Sequence, residues 1–184
     1  MNTNVKKLTI AALMLAISIA SMFLKNTSVF ITGPIVNTCL MLTAIACGLG
    51  YGLIISAVTP IFSFFITGSP VIAAIPAMII MIAVGNAILV VFTWLFAVKM
   101  RTPSNRNIRI VIGGVIGSCV KAAFMWAAIS EWLLPAYLPE KMQTMLPVLQ
   151  VQFSTTQLIT ALIGTVLTVI IWQALKRAKT LPDD

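Results

Sequence analysis

IRIVIGGVIGSCVKAAFMWAAISEWLLP, residues 108–135, is apolar and long enough to cross a bilayer, for which roughly 20 residues suffice, yet Lys121 lies near its middle. Either end is about 13 residues away, on the order of 20 Å at 1.5 Å per residue. A lysine stem laid along the helix covers only part of that distance before its ammonium meets water. The charge must therefore face protein, water or a solute inside the membrane.

Its obvious partner is missing. The chain has four carboxylates: Asp183 and Asp184 in the tail, Glu140 in a loop, and Glu131 ten residues further along the same stretch. Those ten residues are roughly 15 Å of helix. An ionisable side chain at this depth marks a functional site by default. One without a built-in anion points to an anion supplied from outside. A lysine lodged among backbone carbonyls, or partly neutralised by burial, is the plain alternative.

Composition sets the class. Of 184 residues, 60 % are hydrophobic and 9 % charged, against about 25 % charged in a soluble domain. The expected fold is an all-α integral membrane protein, one domain of six transmembrane helices with both termini cytoplasmic. The net charge of +8 does not indicate nucleic acid, because of where the cations stand. Lys6 and Lys7 open the chain; Lys99, Arg101, Arg106 and Arg109 flank one central loop; Lys176, Arg177 and Lys179 follow the last apolar segment. That is the positive-inside pattern, beside anionic lipid. Cys39, Cys47 and Cys119 all fall inside apolar segments and give no disulfide framework. With no histidine and so few carboxylates, metal catalysis and acid–base chemistry lack raw material, and no cofactor or metal is implied. No phosphate loop appears, so the chain hydrolyses no nucleotide by itself.

Spans are expected at about 8–24, 34–47, 51–66, 74–98, 108–134 and 147–175. The first has the charged start of a signal peptide and a small-x-small site at Ser18-Ile-Ala20, but it is long for one and membrane spans follow at once. Ala12, Ala16 and Ala20 recur every four residues on one of its faces and would let another helix approach closely, inside or outside the protein. Residues 26 to 98 carry no charge, and Lys25 outside with Lys99 inside requires three crossings there. Gly48-Leu-Gly50-Tyr-Gly52 and Thr67-Gly-Ser-Pro70 punctuate them. Asn37 stands near the outer end of the second span. The third has Gly52, Ser56, Thr59 and Ser63 on one stripe, with Pro60 expected to kink it. Asn86 is central in the fourth, at a depth similar to Lys121, as packing glue or as part of one site with it.

At regular helical spacing the fifth span sets Gly114, Gly117 or Ser118, Lys121, Phe124 or Met125, Ala128 and Trp132 on one face, with Glu131 and Trp132 at the outer mouth. Residues 135–145 form the longest external loop. The sixth span carries the sharpest polar stripe: Gln150, Ser154, Gln157, Thr160, Gly164 and Thr168. Such a stripe faces the interior or a cavity. Its outer half is the more polar, so a cavity there opens outward. The candidate substrate-binding residues are Lys121, Asn86, Gln157, Gln150, Ser154, Asn37, Glu131 and Trp132.

The short basic start followed by LTIAALMLAISIA, with the stripe Ala12, Ala16 and Ala20, resembles the substrate-binding S component of an energy-coupling factor (ECF) transporter. So does the block from ITGPIVNTCLMLTAIACGLGYGLIISAVTP to AVGNAIL, and the six-span architecture extends the resemblance over the whole chain. The resemblance implies a protein of a bacterial plasma membrane that captures a vitamin or related micronutrient from outside. Its first external loop, here residues 25–33, would close over the cargo. It implies docking on a transmembrane scaffold subunit through Ala12, Ala16 and Ala20, with two cytoplasmic ATPases supplying energy for an ABC-type import. Lys121 adds a preference for an acidic cargo, such as a pantothenate-like or nicotinate-like molecule, through a charge-assisted bond.

Other classes make different predictions. A self-sufficient proton-coupled transporter would use Lys121 as its titrating group, but lacks a membrane carboxylate or histidine relay and an internal repeat. A ligand-free structural membrane protein would tolerate Lys121→Met and respond to no solute. An integral membrane enzyme would need a nucleophile–base or acid–base pair that these residues do not provide.

Overall fold

In the computed structural model the described residues are 3–25, 28–100 and 105–178, and they form helices and short connections without a strand. Six helical segments are long and apolar enough to cross a bilayer: Asn4–Met22, Val29–Ala46, Leu49–Thr67, Ala77–Lys99, Arg106–Tyr137 and Glu140–Arg177. The chain is an all-helical, six-span membrane protein. An even number of crossings brings residues 3 and 178 to the same side.

The first span is α1 (Thr3–Met22), the second α2 (Val29–Ala46) and the third α3 (Leu49–Thr67). Ser28 caps α2 by accepting a hydrogen bond from the Phe30 amide at 3.2 Å, so this helix begins one turn before Pro34 rather than at it. Gly68 ends α3 in the left-handed conformation, with φ of 57°, and the short α4 (Pro70–Ala74) follows. The fourth span, α5 (Ala77–Trp94), finishes in a π-helical turn, Leu95–Lys99.

The last two spans are interrupted. α6 (Arg106–Met125) passes into eight residues of π-helix, Trp126–Leu133, and then into α7 (Leu134–Tyr137). The expected external loop is helical in part, as a 3-10 segment Glu140–Met145. After it come α8 (Leu146–Phe153) and α9 (Thr155–Arg177), separated at Ser154, whose φ of −118° and ψ of −90° break the helix.

α2 is the central pillar, packing on α1, α3, α5 and α9; 61 % of that span is buried, against 22 % of α1. Two glycines set the approach of the helices around the pillar. A Cβ on Gly164 of α9 would stand 2.9 Å from the Asn37 Cβ and 3.2 Å from the Pro34 carbonyl oxygen of α2. A Cβ on Gly85 of α5 would stand 2.9 Å from Met125 Cγ of α6. Most buried hydroxyls bond back into their own helices: Thr160 to the Thr156 carbonyl at 2.9 Å and Thr168 to that of Gly164 at 2.7 Å. Much of the polar stripe of the sixth span is thus satisfied in the protein interior.

Beside the connections that follow α1, α3 and α7, an apolar cluster of Val71, Ile75, Met78, Met125, Ile129, Leu133, Leu149 and Phe153 joins α4, α5, the π-helical run and α8. Ser130 and Gln150 add a two-way clasp there. Gln150 Nε2 donates to the Ser130 carbonyl at 3.0 Å, and Ser130 Oγ donates to the Gln150 carbonyl at 3.1 Å.

Candidate functional site

The bundle holds a partly open cavity of about 300 Å³ that reaches from these connections down to mid-span. It lies toward the end opposite residues 3 and 178. Lys121, 2 % exposed, forms part of its wall. Its Nζ donates to Asn37 Oδ1 at 2.7 Å and to Asn86 Oδ1 at 2.9 Å. Asn86 Nδ2 in turn points at Thr59 Oγ1, at 3.5 Å. One residue from each of α2, α3, α5 and α6 therefore meets at the floor.

The polarity of this floor follows from the hydrogen bonds. An ammonium has three protons and no lone pair. Two protons are used on amide oxygens, which turns both amide NH₂ groups away from Lys121. The third ammonium proton is left for a further acceptor, and the Thr59 hydroxyl and the two amides share the floor with it. Neutral carbonyls solvate the charge without cancelling it, and among the described residues no Asp or Glu lines the cavity.

A profile of the family described as "ECF transporter, substrate-specific component" matches residues 6–176. The chain belongs to the substrate-specific components of ECF transporters. No curated protein and no solved structure gives a match. Members are multi-pass plasma-membrane transport proteins, not enzymes; each serves a small-molecule substrate and associates with an ECF module. The six spans and the cavity are what such a subunit needs.

In this ECF component, four of the expected site residues meet at one wall: Lys121, Asn86, Asn37 and Gln157 all line the cavity. Four others do not line it. Glu131 and Trp132 are exposed, as are Trp126 and Tyr137. The π-helical run explains why: its i→i+5 pattern carries an extra residue per turn, so the face of Lys121 and Met125 continues through Ile129, Ser130 and Leu133. Gln150 is committed to Ser130, and Ser154 Oγ bonds back to the Gln150 carbonyl at 2.6 Å. The break at Ser154 resets the register, so Gln152 of α8, rather than Gln150, joins Gln157 on the cavity wall.

Lys25 and Gln152 are the wall residues that regular spacing does not single out as ligands. Lys25 follows α1, outside the spans, and its Nζ donates to Ser63 Oγ of α3 at 2.7 Å. Burial holds its pKa below the ordinary value of 10.5. Of the loop expected to be the first external one, residues 26 and 27 lie outside the described residues, while Lys25, Val29, Thr32 and Gly33 contribute to the wall. Ala12, Ala16 and Ala20 are all exposed along α1, next to exposed Leu13 and Ile17.

Proposed function

We propose that this subunit captures an acidic micronutrient of vitamin size and passes it to its ECF module. The carrying observation is a buried lysine amine that donates to two amide carbonyls, in a cavity that no Asp or Glu among the described residues lines. A carboxylate or phosphate of the cargo accepts the third Lys121 proton in a charge-assisted hydrogen bond, the strong kind in a site screened from water. Gln157 and Gln152 contact the polar remainder. A volume near 300 Å³ is at the small end of ligand pockets and suits a compact solute.

The cation distribution orients the subunit with both termini in the cytoplasm and the cavity toward the outside. Ala12, Ala16 and Ala20 present a small-residue face on the least buried span, suited to close helix contact with the transmembrane scaffold of the module. Two cytoplasmic ATPases supply the energy that this chain does not.

Native mass spectrometry of the gently purified subunit tests this, followed by titration with acidic and neutral vitamins. An acid retained by the native chain and lost in Lys121→Met is the expected result. A neutral cargo retained equally by both proteins overturns the acidic-cargo reading.

A further inference from the structure

The cavity wall carries a second cation. Lys25 and Lys121 are both part of it, and its remaining polar side chains are amides and hydroxyls. Lys25 is anchored on Ser63, and Lys121 reaches Thr59 through Asn86. Ser63 and Thr59 are four residues apart on α3, roughly 6 Å along the axis. The two ammonium groups thus stand at two heights of one cavity, on the order of 10 Å apart once both side chains are included.

We infer that the cargo is an elongated dianion: one acidic group binds Lys121 at the floor and a second binds Lys25 nearer the mouth. This rests on the acidic-cargo reading above and narrows it. Charge balance favours it, because two lysines line one cavity and no Asp or Glu among the described residues does. Hydrogen bonding favours it as well. Ser63 is a neutral acceptor and leaves Lys25 two further protons, as the two amides leave Lys121 one. The arrangement is ordered for a molecule with an acceptor at each end. A mono-acid would leave one of the two charges unmatched.

The test uses straight-chain dicarboxylates of about six to eight carbons, a length set by the ammonium separation, and the monomethyl ester of each. Binding to the purified full-length subunit is read by calorimetry and by the shift in melting temperature. Each diacid is expected to outbind its monoester by roughly tenfold or more, the usual scale for a charged hydrogen bond. In Lys25→Met that advantage collapses to about onefold, and in Lys25→Arg it persists. Equal binding of diacid and monoester, with both lost in Lys121→Met, overturns the two-ended cargo and leaves the acidic cargo standing. An advantage that survives in Lys25→Met overturns the assignment of Lys25. Failure of every diacid and monoester to bind the native chain overturns both readings.

Discussion

Lys121 of α6 and Asn37 of α2, 84 positions apart in sequence, meet at 2.7 Å in the middle of the bundle. The contact joins the central pillar to the helix that carries the only charge enclosed at that depth among the described residues. Replacing the amide by a carboxylate, Asn37→Asp, would give Lys121 an internal counterion. Pairing a charge that is already buried relieves its isolation, so melting temperature should hold or rise by a few degrees. Affinity for an acidic cargo should fall by at least roughly 30-fold, the scale of about 2–5 kcal/mol seen when a buried charge pair loses one partner. Unchanged affinity in calorimetry would show that the cargo does not use this charge.

Stability should depend on pH through Lys25. Its pKa is depressed by burial in the folded chain and returns to 10.5 on unfolding. Between those two values the unfolded chain binds more protons, so stability rises with pH up to 10.5; below the depressed value this group contributes no slope. Any help that Lys25 gives to anion binding should fade as pH rises through the depressed value, at the lower edge of that window. Thermal melts from neutral pH to 10.5 check this, and Lys25→Gln should flatten the slope.

Gly164 holds α9 against α2 beside Asn37, where an added Cβ would come within 2.9 Å of the Asn37 Cβ. Gly164→Val therefore pushes at the floor of the cavity as well as at the helix interface. A loss of about 1–3 kcal/mol is expected from overpacking, together with weaker cargo binding. A melting curve and a titration on the same preparation separate the two effects.

Gln150 and Gln152 are two residues apart and should behave differently. Gln150→Ala removes the side-chain half of the clasp, the bond from Gln150 Nε2 to the Ser130 carbonyl, and should lower the melting temperature while leaving affinity within about twofold, since one neutral hydrogen bond contributes about 0.5–1.5 kcal/mol. Gln152→Ala acts on the cavity wall and should weaken binding with little effect on stability. The opposite pattern would mean that the helix break at Ser154 does not set the register of the wall.

Ala16→Leu adds bulk to the exposed face of α1, far from the cavity. Uptake by cells that carry the complete transporter should fall sharply, while cargo binding by the isolated subunit stays unchanged. Normal uptake would remove this face from the docking surface.

Six spans and the depth of Lys121 are legible in the amino-acid sequence because both depend on composition and length. Asn37, Asn86 and Gln157 are legible as well, since amides among apolar residues stand out at any helical phase. The phase itself fails twice. Glu131 and Trp132 share a face with Lys121 only if the fifth span is α-helical throughout, and the π-helical run turns them outward. Gln150 and Ser154 share the face of Gln157 only if the sixth span is unbroken, and Ser154 breaks it. Lys25 reads as a topology marker at a membrane boundary; only the fold shows it reaching Ser63.

The π-helical run also sets a rule for splicing this chain with a relative. One additional residue in a turn rotates everything beyond it by about 100° relative to a plain α-helix. A graft that straightens residues 126–133 would swing Ser130 off α8 and leave the Gln150 amide without its acceptor, although every transplanted side chain were kept. Exchange of the mouth-side third between subunits therefore has to move the run and α8 together, with the junction after Met125. The floor, with Lys121, Asn37 and Asn86, would then be inherited from one parent and the mouth from the other.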